Sequence, residues 1–170
     1  HLVSDDLVHW RNLPLAIDVG KEGADWNGIW TGDTIQYDGG VAAIYTSNGN
    51  AQTQSVAFSE EEMLINWRKA AANPVTGAFP PGVPTARVAG FRDPCVWRDG
   101  EHFYMVVGSG ERDAGGFLPL YRSTNLIEWE HRGTLYERTD VAETGWMWEI
   151  PILFELENGK HCLVINTIPQ

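Results

Sequence analysis

One motif recurs three times along this chain. Ser4-Asp-Asp-Leu-Val-His-Trp10, Ser59-Glu-Glu-Glu-Met-Leu-Ile-Asn-Trp67 and Ser123-Thr-Asn-Leu-Ile-Glu-Trp129 share a leading serine, a polar stretch and a closing tryptophan, with two extra residues in the middle copy. The period is about 60 residues. A second element repeats in phase: Tyr37-Asp-Gly-Gly40, Arg98-Asp-Gly-Glu101 and Glu157-Asn-Gly-Lys160 each place an Asp-Gly or Asn-Gly pair between apolar runs. Such pairs accept the positive φ angles of tight hairpins. The runs that follow, Val41 to Thr46, His102 to Gly108 and His161 to Thr167, are rich in Val, Ile, Tyr and Phe and too short for helices. Each repeat therefore reads as strand, tight turn, strand, third strand and a polar corner, and four antiparallel strands per unit make a propeller blade. Met63 to Ala72 reads as a helical turn or two, and the Pro- and Gly-rich stretch Asn73 to Gly90 as a long connection. At this period 170 residues make fewer than three blades. A propeller needs four or more to close, so the segment is expected to be part of something larger.

The carboxylates fall on the repeat. Asp33 precedes Asp38 of its turn by five residues, Asp93 precedes Asp99 by six and Glu149 precedes Asn158 by nine. All three are expected near the start of a blade's first strand, the strand that lines a propeller's central channel. Acids from successive blades converging on one pocket suit glycoside hydrolysis, in which one carboxyl protonates the leaving oxygen and another attacks or stabilises the sugar cation. Trp26, Trp30, Trp146 and Trp148 flank the same strand starts, and aromatic faces suit sugars. Trp148 is expected to desolvate its neighbour Glu149 in part, and Arg92 to hold Asp93 ionised. Each feature has a plainer reading. Arg92-Asp93-Pro94 alone could be a turn with a local ion pair, a strand-start tryptophan could be core, and Asp33 could only accept backbone hydrogen bonds at a blade corner. Their joint placement on one repeat favours a site.

The balance of the chain narrows the alternatives. With 23 Asp and Glu against 12 Lys and Arg the formal charge is -11, the wrong sign for nucleic acid. No apolar run reaches the roughly 20 residues that cross a bilayer as a helix. Cys95 and Cys162 stand far apart without a CxxC partner, each in an apolar run where a free thiol packs well, and the histidines share no phase with the acids. No metal site, cofactor motif or His-based triad emerges. The chain begins with His1 rather than Met, so its natural N-terminus is expected upstream. The compartment, secreted or cytoplasmic, is left open, as is the oligomeric state.

With these residues placed, the sequence resembles glycoside hydrolase family 32, the invertase, inulinase, levanase and fructosyltransferase family. His1-Leu-Val-Ser-Asp-Asp-Leu-Val-His-Trp10 with Leu13-Pro14-Leu15-Ala16 resembles the close of the family's first blade, and Gly28-Ile-Trp-Thr-Gly-Asp33 its aromatic-Ser-Gly-Ser motif. Phe91-Arg-Asp-Pro94 resembles its Arg-Asp-Pro motif and Trp148-Glu-Ile-Pro151 its Trp-Glu-Cys-Pro motif. The resemblance implies an all-β fragment of a five-bladed β-propeller: the end of blade 1, blades 2 and 3, and the start of blade 4. Residues 1–170 would be a partial catalytic domain truncated at both ends. It implies Glu149 as general acid/base and Asp93 as transition-state stabiliser, with Arg92, Trp30, Thr31, Asp33 and Trp148 binding substrate. The family's nucleophile is an Asp in a Trp-Met-Asn-Asp-Pro-Asn-Gly motif of the first blade. That motif does not occur here and is expected upstream, so the segment alone is expected to be inactive and poorly folded.

Two departures bear on substrate preference. Thr31 keeps a hydroxyl where Ser is usual, while Asp33 adds a charge and Ile150 replaces the Cys that follows the acid. The implied activity is retaining cleavage of β-fructofuranosyl bonds in sucrose or fructans. Alternatives are a fructosyltransferase of the same fold and a non-catalytic sugar-binding propeller. A related five-bladed enzyme acting on arabinose or xylose is disfavoured by the aligned motifs.

Overall fold

The computed structural model describes residues 1–77, 82, 84 and 87–169. Two four-stranded antiparallel sheets form its body. The first comprises β3 (Ile29–Tyr37), β4 (Gly40–Asn48), β5 (Gln52–Ser59) and β6 (Arg68–Lys69); the second β7 (Val88–Asp99), β8 (His102–Glu111), β9 (Gly115–Ser123) and β10 (Glu130–Glu137). Before them comes the pair β1 (Leu2–Val3) and β2 (Arg11–Asn12), and after them the hairpin β11 (Met147–Glu155) and β12 (His161–Ile168). The all-β propeller segment expected from the repeat is borne out. β1–β2 stand where the end of blade 1 was expected, the two full sheets are blades 2 and 3, and β11–β12 open blade 4. Among the described residues no sheet closes on itself.

The tryptophan corner owes its recurrence to hydrogen bonding. Ser123 Oγ accepts from the backbone of Asn125 and Leu126, and Asn125 Oδ1 accepts from Ile127 and Glu128. Leu126 then turns left-handed at φ 63°, and Trp129 Nε1 donates to its carbonyl at 3.1 Å. Ser4, Asp6, Leu7 and Trp10 repeat the pattern contact for contact, with Leu7 at φ 63°. Short polar side chains satisfy the turn's N–H groups, and the strained leucine returns the chain toward the fourth strand. The middle copy keeps the Trp67-to-Leu64 bond at 2.7 Å. That corner overturns the helical reading of Met63 to Ala72: Leu64 is left-handed at φ 52°, and Arg68–Lys69 pair with β5. The one helix among the described residues, α1 (Val141–Thr144), is a single turn capped by Asp140. The connection expected from Asn73 to Gly90 lies partly outside the described residues, and its last three residues belong to β7.

The core lies between blades. Ile44 and Val56 of blade 2 pack with Phe91, Val96, Phe103, Met105, Val107 and Tyr121 of blade 3. The opposite face of blade 3 presents Cys95, Val106 and Leu118 to Trp148, with Leu153, Leu163 and Ile165 alongside. β8 thus sends alternate side chains into two cores, so its sequence reads as a nearly continuous apolar run. Blade 4 sits close: a Cβ on Gly110 would collide with the Trp146 carbonyl.

A half-buried ion pair ties the entry of blade 2 to its outer strands. Asp25 accepts from Lys69 Nζ at 2.6 Å, from the Tyr45 hydroxyl at 3.1 Å and from Gly20 N at 3.1 Å. Burial works to raise this carboxyl, but the Lys69 bond, helped by Gly20 and Tyr45, outweighs it and holds the group below its ordinary value. A depressed carboxyl contributes stability above its unfolded value, about 4, and loses it as pH falls through the folded value. The melting temperature of the full-length protein should therefore drop below about pH 4, and Asp25→Asn should flatten that drop. An acid limb identical in wild type and variant would contradict this.

Candidate active site

The inner strands β3, β7 and β11 lie side by side, and each carries a bulge at corresponding height. In β3 Trp30 and Thr31 stand against the single Thr46, between Ile29–Ser47 and Gly32–Tyr45. In β7 the pairing skips Asp93, between Arg92–Gly108 and Pro94–Val107, and in β11 Ile150 and Pro151 stand against the single Ile165, between Glu149–Asn166 and Ile152–Val164. Bulges re-aim side chains and concentrate beside active sites. Asp93 at φ 62° and Ile150 at φ 47° mark the turning residue in the last two. A β-branched residue in that conformation is strained.

The bulges fix which residues correspond from blade to blade. Trp30, Arg92 and Glu149 form one tier, and Thr31, Asp93 and Ile150 the next. Asp33 corresponds to Cys95 and Ile152. An interblade bond repeats on this alignment: Val96 N donates to Asp33 Oδ2 at 3.0 Å, and Leu153 N donates to Cys95 Sγ at 3.4 Å. This corrects the reading of Asp33, Asp93 and Glu149 as three equivalent acids. Asp33 clamps blade 2 to blade 3 and lines the neighbouring channel surface with Pro94, Cys95 and Pro151. Burial, with Asp33 alongside, pushes the Cys95 thiol up to about 11, and both cysteines are free.

The upper two tiers line an open cleft of about 670 Å³ formed by Ile29, Trp30, Thr31, Gln52, Arg92, Asp93, Glu149 and Ile150. That volume suits a small ligand. Trp30, 42 % exposed, offers its ring at one side. Arg92 crosses from blade 3 to blade 4, donating from both Nε, at 2.8 Å, and Nη2 to Glu149 Oε1, while Nη1 reaches Gln52 Oε1 at 3.4 Å. Arg92 spends its hydrogen bonds on Glu149 and Gln52, and its charge still favours the ionised form of Asp93, as expected, although burial of that carboxyl outweighs it.

Asp93 is only 5 % exposed. Its backbone N donates to Thr46 Oγ1 at 2.7 Å, and its Oδ2 accepts from Ile150 N at 3.2 Å. Burial pushes its carboxyl above the ordinary range, with Glu149 adding to the push, against the Ile150 N–H and the Arg92 charge.

Trp148 is not part of the cleft. It is 2 % exposed, stacks on Tyr136 at 5.5 Å and donates Nε1 to the Thr144 carbonyl at 2.8 Å. Neighbours along a strand face opposite ways, so the residue before a pocket-facing Glu149 enters the interblade core. Its assignment to substrate binding is corrected on that ground. Trp26 is exposed outside the cleft lining, and Trp146 lines a second cleft. The sequence reading also missed a buried polar chain beneath the site. Thr46 Oγ1 donates to Gln54 Oε1, Gln54 Nε2 to the Phe91 carbonyl, and Phe91 N to Gln52 Oε1. Amides alternating in the strand-like run Gln52-Thr-Gln54 were its only signal.

The cleft therefore holds two carboxyl groups from consecutive blades in different surroundings, one bridged to a guanidinium and one buried, beside an exposed indole. Such a pair can divide proton transfer and cation stabilisation between its members. Among the described residues no group of three His, Cys, Asp or Glu is placed to hold a metal ion, and no helix is long and apolar enough to cross a membrane.

The family described as glycosyl hydrolases family 32 N-terminal domain matches residues 1–169. Sucrose-6-phosphate hydrolase of Zymomonas mobilis is 33 % identical over 166 residues, covering 93 % of this chain and 32 % of that protein. Among solved structures, the GH32 beta-fructofuranosidase of Bombyx mori superposes with a TM-score of 0.78 at 31 % identity, over 100 % of this chain and 35 % of its own. Fructan 1-exohydrolase IIa of Cichorium intybus, in complex with 1-kestose, gives 0.78 at 26 % identity over 98 % of this chain and 35 % of its own. The chain spans about a third of the length of these relatives.

Proposed function

Because the chain belongs to glycosyl hydrolase family 32, we propose that its protein cleaves β-fructofuranosyl bonds in sucrose or fructans by a retaining double displacement, and that residues 1–170 are part of its five-bladed propeller catalytic domain. The observation that carries this reading is the meeting of Glu149 and Asp93, from adjacent inner strands, in one open cleft beside Trp30.

Glu149 is the general acid/base. It protonates the glycosidic oxygen as the bond breaks, then takes a proton from the water that releases the fructosyl group. Arg92 grips one oxygen of this carboxyl through two N–H groups and so fixes the direction from which the proton is exchanged. Asp93 accepts hydrogen bonds from fructosyl hydroxyls. Its burial strengthens those bonds, which tighten as positive charge develops on the ring. Trp30 packs against the sugar's apolar face, and Thr31 supplies a hydroxyl to the same pocket. In the family to which the chain belongs the nucleophile is an aspartate of a first-blade motif, and no residue of this chain is assigned that role.

Trapping with methanol tests the reaction class. Sucrose or inulin incubated with the full-length protein in dilute methanol should yield methyl β-fructofuranoside, identified by NMR. An α-configured product would contradict double displacement, and accumulation of longer fructosides in its place would mark a transferase.

A further inference from the structure

The starts of β3, β7 and β11 and the β4–β5 and β8–β9 turns share one end of the blades, the end at which the catalytic cleft opens. On blade 2 the β4–β5 turn delivers Gln52 to that cleft. On blade 3 the corresponding β8–β9 turn carries exposed Arg112 and Asp113. The Arg112 guanidinium lies 5.0 Å over the ring of Trp146. These three side chains, with Ile168 and Pro169, line a second cleft of about 450 Å³.

The indole in this cleft is held in place. Trp146 N donates to the Ile168 carbonyl and Nε1 to the Pro169 carbonyl, both at 3.0 Å. Trp146 also precedes Glu149 by three residues along the chain. At about 3.3 Å per strand residue that is roughly 10 Å, on the mouth side. A ligand with one end at Glu149 that leaves over the junction of blades 3 and 4 therefore passes the second cleft.

The chemistry matches a hydroxyl-rich ring. An indole and a stacked guanidinium offer flat, weakly hydrated surfaces to C–H faces. The guanidinium fork and the Asp113 carboxylate supply donors and acceptors for neighbouring hydroxyls. The stack stands at the surface, outside both interblade cores, where packing alone does not call for it.

We propose that Arg112, Asp113 and Trp146 form an outer sugar-binding cleft, which holds distal units of a fructan chain while its terminal fructosyl group occupies the catalytic cleft. The proposal rests on the function argued above. Its test compares kcat/KM for sucrose, 1-kestose and inulin in the full-length wild type, Arg112→Ala and Trp146→Ala. The inulin-to-sucrose ratio should fall about tenfold in each variant, the size of one stacking contact, with the change in KM. Arg112 is exposed, so its variant separates a binding effect from any disturbance of β11 in the tryptophan variant. An unchanged ratio in Arg112→Ala, with fructose still released by the wild type, would overturn the outer cleft alone. Release from none of the three sugars by the wild type would overturn the outer cleft together with the proposed function.

Discussion

Glu149→Gln in the full-length protein should lower kcat for sucrose by about 10²- to 10⁴-fold, the contribution of a positioned general acid/base. The amide keeps an oxygen for the Arg92 guanidinium, so the interblade contact survives while the exchangeable proton is lost. Melting temperature should accordingly stay close to wild type. The diagnostic readout is the leaving group. A fructoside whose leaving group is a weak base needs little protonation, so bond cleavage from an activated aryl fructoside should suffer far less than from sucrose, as judged by the burst of released phenol. Equal losses on both substrates would reduce Glu149 to a structural partner of Arg92.

Asp93→Asn should cost about 10²- to 10³-fold in kcat/KM, the range for removing one preorganised electrostatic contact, and should do so without destabilising the fold. The two halves of this prediction share one cause. Burial raises the Asp93 carboxyl above its ordinary value. A carboxyl raised by folding contributes stability below its unfolded value and loses it as pH rises through the folded one. At neutral pH the ionised group therefore burdens the fold, and a neutral isostere relieves the burden. Asparagine also tolerates the left-handed backbone at this position and can still accept from Ile150 N. A variant that melts at or above the wild-type temperature while nearly inactive would show stability given up for function. A large fall in both would mean that Asp93 mainly holds blades 3 and 4 together.

The architecture was legible because propeller blades repeat their punctuation. Ser4 and Ser123 accept the N–H groups of their corners, and in all three copies the tryptophan caps the leucine that turns left-handed. The Asp-Gly pair at Gly100 and the Asn-Gly pair at Gly159 supply positive φ at two hairpins. These are local interactions, readable from order along the chain. The site was harder because its geometry depends on register. A bulge adds one residue without a change in composition, and counting back from each turn aligned Asp33 with Asp93 when its true counterpart is Cys95. Adjacency along the chain suggested that Trp148 shares the surroundings of Glu149, although strand alternation sends it to the other face. Gln52, Thr46 and Gln54 were unreadable for a different reason. Their decisive partners lie in the neighbouring blade, some 40 residues away, and the alternation of Gln52 and Gln54 alone does not separate them from surface polar residues.

Whether the cleft between blades 2, 3 and 4 cleaves fructosyl bonds is decided by assaying free fructose released from sucrose, inulin and levan by the full-length wild-type protein. Fructose should be released from at least one of the three, and release should fall by about 10²- to 10⁴-fold in Glu149→Gln and about 10²- to 10³-fold in Asp93→Asn. Sugar binding by calorimetry with no fructose released from any of them would contradict the proposed function and make this cleft a binding site without catalysis.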